Sequence, residues 1–285
     1  MILFKTIDAL QNHLHKQKNK GYILGFIPTM GALHNGHLSL ISFSKSTCDI
    51  TICSIFVNPT QFNDSKDFEK YPNTIENDIR LLEQAQCDIL FLPSTKEMYP
   101  DGTALTSHYQ LGFLETILEG KFRPNHFQGV CQIVHKLLDI VEPDTLFLGQ
   151  KDYQQCMVIQ QLIALTGIKT QLIIGETLRE NSGLAMSSRN MRLTDEDKQK
   201  AITIYQSLQY IKQHCNHQLP SVLTEKITER LLENGFEKVD YVAICNANTL
   251  EALTEISSNT PKVALIAAFL NDVRLIDNLL LNNAS

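Results

Sequence analysis

Between residues 22 and 174, short runs of β-branched and aliphatic residues alternate with amphipathic stretches. More than any single motif, this alternation limits the folds open to the chain. It is the pattern of βα units that build a parallel sheet. Strands are expected at 22–27, 50–57, 88–92, 145–148 and 171–174. Between them, Val130, Ile133, Val134, Leu137, Leu138 and Val141 recur at helical spacing, as do Met157, Leu162 and Leu165. The expectation is an α/β protein with a doubly wound (Rossmann-like) parallel sheet over residues 1–180. After Arg189 the texture changes. Thr194 followed by Asp197 reads as a helix-start cap opening a long helix toward His214. A helical pattern at 222–232 and strand-like runs at 239–245, 263–269 and 273–276 complete a second, smaller α/β lid domain, expected over 181–285.

Composition removes several classes of function. Hydrophobic residues make up 43% and charged residues 20% of 285, the profile of a packed globular protein. A net charge of -6 does not suit a protein that grips nucleic acid through its phosphates. Seven cysteines, odd in number and without a C-x-x-C pair, suggest neither a disulfide framework nor a zinc site, and read as thiols in a reducing compartment. Lys5 and Asp8 precede any apolar run, unlike a signal-peptide core. The longest apolar stretch, 263–270, falls far short of the roughly 20 residues that cross a bilayer. No membrane association is expected, and the cytoplasm is the expected location.

Four segments carry residue types suited to chemistry. The first is Pro28-Thr29-Met30-Gly31-Ala32-Leu33-His34-Asn35-Gly36-His37, where the first long strand would turn into a helix. Gly31 permits a tight turn, and a helix start offers N–H groups and a positive dipole end to phosphates. His34 and His37, three apart, project from one side of that turn and can stabilise charge as pyrophosphate leaves. A histidine pair in isolation would be ordinary surface chemistry; the strand–Gly–helix setting argues for function. The second segment, Phe56-Val57-Asn58-Pro59-Thr60-Gln61-Phe62, ends the next strand, where ligands of doubly wound sheets sit. Asn58 and Gln61 could hold a small acid without adding negative charge.

The third segment, Gly149-Gln150-Lys151-Asp152-Tyr153-Gln154-Gln155, again follows a strand. Lys151 can place a compact charge on phosphate, Asp152 can accept from a ribose hydroxyl, and Gln155 lies one helical turn beyond Lys151. The fourth, Gly183-Leu184-Ala185-Met186-Ser187-Ser188-Arg189-Asn190, sits at the expected domain boundary and reads as a phosphate clamp able to close over a nucleotide.

H-x-G-H after the first long strand and Met-Ser-Ser-Arg-Asn late in the chain resemble the HIGH and KMSKS pair of the nucleotidyltransferase superfamily. Within it, the four segments, together with Arg123-Pro124-x-His126-Phe127-x-Gly129-Val130, closely resemble the pantothenate synthetases over nearly the whole chain. That resemblance implies an ATP-dependent ligase joining (R)-pantoate to β-alanine through a pantoyl-adenylate, with release of AMP and diphosphate. It implies ATP contacts from Met30, Gly31, Ala32, Leu33, His34, Asn35, Gly36, His37, Gly149, Gln150, Lys151, Asp152, Leu178, Met186, Ser187, Ser188 and Arg189. His37 would be the proton donor, and His34, Lys151 and Arg189 the other catalytic groups.

Pantoate would meet Gln61, Gln155 and Asn58, and β-alanine would meet Gln61. Magnesium would be the metal, with Asp78 as a contact, and the assembly a homodimer. Four positions depart from the commonest family pattern. Gln150 stands for glutamate, Gln128 for arginine, Leu178 for valine and Ser182 for aspartate; they bear on local charge and metal affinity rather than on the reaction. The alternatives are another nucleotidyltransferase of the superfamily, whose phosphorylated acceptor would call for more basic residues around Gln61 and Gln155, and a nucleotide sensor without turnover.

Overall fold

In the inner strands of the central sheet, consecutive residues are buried on opposite faces, as in parallel strands covered on both sides, whereas the edge strands are partly exposed. The computed structural model describes residues 1–62, 68–105, 107–257 and 260–281. By internal contacts the chain divides into two compact units, Met1–Gln150 with Gln154–Glu176, and Lys151–Tyr153 with Thr177–Ser285. The division after Glu176 lies a few residues before the expected one at 180, and it places the short Lys151–Tyr153 segment with the C-terminal unit.

In the first unit the strands are β1 (Ile2–Phe4), β2 (Leu24–Thr29), β3 (Ile50–Ile55), β4 (Ile89–Phe91), β5 (Thr145–Gly149) and β6 (Gln171–Gly175). They form one sheet in the order β1-β4-β3-β2-β5-β6, every pair parallel. Chain order reverses between β2 and β5, which makes their carboxyl ends the switch point where doubly wound sheets open a ligand crevice. The helices are α1 (Ile7–Lys18), α2 (Asn35–Thr47), α3 (Ile75–Gln84), the short α4 (Thr95–Met98) and α5 (Leu118–Phe122), then α6 (His126–Val141) and α7 (Tyr153–Thr166).

On one face Phe26, Ile52, Ile89 and Leu146 pack with Leu10 and Leu14 of α1, with α6, and with Ile159 and Leu162 of α7. On the other, Ile27, Cys53, Leu90 and Phe147 pack with Leu40 and Ile41 of α2 and Leu82 of α3. The apolar spacing read in α6 is its buried face. In α7 the reading needs correcting. Leu162 is buried, but Leu165 is 51% exposed, and the core face is Cys156, Ile159, Leu162 and Ile163. The edge strand β1 escaped the sequence reading because three residues carry no measurable period.

The second unit contains α8 (Asp195–His214), α9 (Pro220–Glu233) and the antiparallel sheet β7 (Lys238–Asn246), β8 (Lys262–Leu270) and β9 (Val273–Leu280), in that order. Thr194 caps α8 through a capping box with Asp197, as its sequence suggests. Ile204, Leu208 and Ile211 of α8 and Leu223, Ile227 and Leu231 of α9 pack on Ile244, Ile266 and Leu275 of the sheet. Among the described residues, no helix is long and apolar enough to cross a membrane.

Candidate active site

The turn after β2 is held in a conformation its own residues would not choose. Gly31 and Ala32 both take left-handed backbone angles, φ +83 and 50; glycine adopts these readily and alanine does not. Asp78, fully buried on α3, secures them. Its Oδ2 accepts the Ala32 N–H at 2.9 Å and its Oδ1 the Leu33 N–H at 2.8 Å, with the Thr74 hydroxyl at 3.1 Å. The Thr29 hydroxyl accepts the Gly31 N–H at 3.2 Å. The chain then enters α2 with His34 as its N-cap.

Both imidazoles are oriented by the backbone. His34 Nδ1 accepts the Gly36 N–H at 3.2 Å, and His37 Nδ1 accepts the His34 N–H at 3.3 Å. Since Nδ1 is the acceptor in each ring, the neutral tautomer carries its proton on Nε2. The rings lie 4.0 Å apart between centroids, tilted by 35°. Two Nε2–H donors therefore stand side by side at the start of α2, whose N-terminus already favours anions.

Both oxygens of Asp78, which the resemblance gives as a magnesium contact, accept main-chain N–H groups of the turn after β2.

After β3, Asn58 is 1% exposed and its polar atoms are engaged. Its Nδ2 donates to the Gly129 carbonyl (3.2 Å), Thr60 Oγ1 (3.0 Å) and Gln61 Oε1 (3.3 Å), and its Oδ1 accepts from the Tyr99 hydroxyl (2.8 Å). Asn58 is thus a bracket for the turn. Half-buried Gln61 is the residue it presents, further steadied by Nε2 toward Met30 Sδ (2.9 Å) and by His126 Nδ1–H to its carbonyl (2.8 Å). Met30 and Gln61, from two different strand ends, are thereby brought together. Gly129 on α6 packs so tightly here that a Cβ would stand 2.7 Å from the Thr60 carbonyl carbon and 2.9 Å from Gln61 Cα. His126 and Gly129 belong to a segment the sequence flagged without assigning a role. Gln128, in the same segment, pairs with Tyr109 as a strand neighbour would, accepting its N–H and donating to its carbonyl, each at 2.9 Å.

β5 ends at Gly149, followed by Gln150, and a 3-10 turn carries Lys151 and Asp152 into α7. Lys151 Nζ lies 3.4 Å from Asp152 Oδ1, a loose pair beside an exposed carboxylate. Gln155, half-buried, follows one turn later, whereas its neighbour Gln154 is buried and donates to the Leu114 and Ile117 carbonyls.

In the second unit Lys151, Ser187 and Arg189 line one pocket together with Tyr205, Arg274 and Asp277. Ser187 Oγ caps the short turn that follows it by accepting the Arg189 N–H at 3.3 Å. Ser188 is buried, and Asn190 ties the loop to the Ala185 carbonyl at 3.0 Å. Leu178, 40% exposed, is joined to Met186 by the Met186 N–H to its carbonyl at 3.0 Å. Ser182 Oγ accepts the Leu184 N–H at 3.4 Å.

A family model described as pantoate-beta-alanine ligase matches residues 2–280. The pantothenate synthetase of Cytophaga hutchinsonii is 44% identical over 283 residues, 99% of each chain. The crystal structure of pantothenate synthetase from Thermus thermophilus superposes with a TM-score of 0.90 at 34% identity, covering 99% of this chain and 100% of that one. That of the Francisella tularensis pantoate-beta-alanine ligase, complexed with beta-gamma ATP and beta-alanine, gives 0.84 at 40% identity over 99% and 98%.

Proposed function

The chain belongs to the pantoate-beta-alanine ligase family and is a ligase of that kind; on that premise we propose that it condenses (R)-pantoate with β-alanine by way of a pantoyl-adenylate. A carboxylate resists attack by an amine, so activation must come first. A pantoate carboxylate oxygen attacks the α-phosphorus of ATP and diphosphate leaves. The β-alanine amine then attacks the acyl carbon of the mixed anhydride, gives up a proton, and AMP departs as the amide forms.

The protein's part is to position the reactants and stabilise charge. The imidazoles of His34 and His37, 4.0 Å apart at a helix N-terminus and each with Nδ1 turned to a main-chain N–H, are the observation that carries this reading. They suit the negative charge that grows on the departing diphosphate, with His37 as proton donor. The remaining ATP contacts are the turn residues 30–36, Gly149, Gln150, Asp152, Leu178, Met186, Ser187 and Ser188, with Lys151 and Arg189 supplying positive charge to the phosphates. Gln61 and Gln155 receive pantoate, Gln61 also meets β-alanine, and Asn58 acts by holding Gln61 in place. Gln61 is the half-buried side chain of a turn clamped at three points, which gives a small acid a fixed hydrogen-bonding partner.

The test is incubation with ATP, magnesium and pantoate, with and without β-alanine, following AMP, diphosphate and pantothenate by mass spectrometry. AMP and pantothenate rising together only when both acids are present is the expected result. ATP binding without pantothenate would remove this reading in favour of another acceptor or of a sensor. A homodimer is proposed with it, and light scattering returning a monomer would overturn that part.

A further inference from the structure

Two adjacent residues of β9, Asp277 and Asn278, are buried at 5% and 1% exposure, and neither has a part in the chemistry above. Asn278 Nδ2 donates to the Lys151 carbonyl at 2.9 Å. Asp277 receives the Arg179 guanidinium through two bonds, Nη1 to Oδ2 at 2.6 Å and Nη2 to Oδ1 at 3.1 Å. The same guanidinium donates to the carbonyls of Gly183 (3.2 Å) and Asn278 (3.3 Å) and lies 3.8 Å above the Tyr205 ring. Gly183, at φ +94, brings its backbone onto the other part of that ring, where a Cβ would stand 2.6 Å from Cδ1. Arg179 also bridges to Ala185, within the hairpin that leads into Ser187.

Asp277 lines the same pocket as Lys151, Ser187 and Arg189. A carboxylate there is out of place for a phosphate site. Unpaired, it would repel a polyphosphate, or draw to itself the cation meant for the ligand. Burial pushes the Asp277 carboxyl up, Arg179 pulls it back, and Lys151 is near enough to pull as well.

We propose that Arg179 is a positioning residue that masks Asp277. By occupying both carboxylate oxygens it prevents that charge from repelling the phosphates of ATP and from capturing Lys151. Asn278 in turn ties the Lys151 backbone to the same strand. This deepens, and rests on, the reading of the pocket as a nucleotide-phosphate site.

The experiment is calorimetric binding of ATP to the full chain, compared among the wild type, Arg179→Met, Asp277→Asn and the double variant, with thermal unfolding of each and steady-state kinetics alongside. Arg179→Met is expected to weaken ATP binding by at least about tenfold, the scale of stranding a buried charge by removing its partner. It should raise KM for ATP more than KM for pantoate. Asp277→Asn alone, and the double variant, should stay within roughly threefold of the wild type, because neither leaves an unmasked carboxylate.

A double variant as weak as Arg179→Met, or a tenfold loss in Asp277→Asn alone, would show that the pair merely holds the structure and would overturn the proposal. Should Arg179→Met unfold, Asp277→Asn decides. A wild-type chain that binds ATP yet makes no pantothenate removes the ligase reading while the binding comparison still tests masking; one that does not bind ATP overturns both.

Discussion

Replacing Asp78 with alanine separates two roles for a residue that the family resemblance gives as a magnesium contact and that the structure places under the turn after β2. The carboxylate is fully buried and accepts from the Ala32 and Leu33 N–H groups at 2.9 and 2.8 Å. In Asp78→Ala the Leu33 N–H loses its acceptor in the interior, and the Ala32 N–H loses one. An orphaned donor costs about 1–3 kcal/mol, which sets the scale of the loss. Against a total stability of about 5–15 kcal/mol, the variant should fold with a clearly lowered urea midpoint. Asp78→Asn should recover only part of the loss, because its amide nitrogen would face a main-chain N–H. Urea unfolding followed by circular dichroism measures the effect, and a magnesium titration of adenylation on the same samples tests the rival role. A loss of stability under about 1 kcal/mol, with the defect confined to the magnesium requirement, would refute the clamp and restore the metal contact.

Lys151→Ala should slow single-turnover adenylation by roughly 10²–10³, the scale of losing one preorganised donor; near-wild-type rates would remove its phosphate role. Gly129→Ala forces a methyl against the Thr60 carbonyl beneath Gln61. It is expected to cost about 1–3 kcal/mol and to raise KM for pantoate more than KM for ATP, so equal changes in both would count against Gln61 as the acid's partner. Thr194→Ala removes the cap of α8 and its hydrogen bond to the Asp197 N–H at 3.1 Å. A stability loss of about 1 kcal/mol with kcat unchanged is expected, and loss of activity at full stability would contradict it.

Much of the candidate site's local geometry could be read from the chain because its signals are local. β2, β3 and β5 each end in a turn whose residues announce themselves within ten positions, and in a doubly wound sheet those ends are where ligands bind. The histidine pair was legible for the same reason, its spacing and its helix start both lying within one turn. In sequence Asn58 looks like a ligand group, since a buried bracket and an exposed binder cannot be told apart there. Only the approach of Tyr99 and Gly129 shows that its hydrogen bonds are spent. Leu165 falls in an apolar stripe by spacing yet is exposed, because a three-residue pattern does not fix which way a helix is turned.

The sequence by itself determined the βα alternation, the parallel sheet apart from its edge strand β1, and which turns carry histidine, lysine, serine and arginine, since periodicity, caps and turn chemistry act over a few residues. Tertiary structure alone decided which polar groups are partners. Asp78 meets a turn 46 residues before it, and Asn278 holds a carbonyl 127 residues away. A buried polar atom takes whatever partner packing brings within about 3 Å, and no local pattern encodes which distant segment that will be.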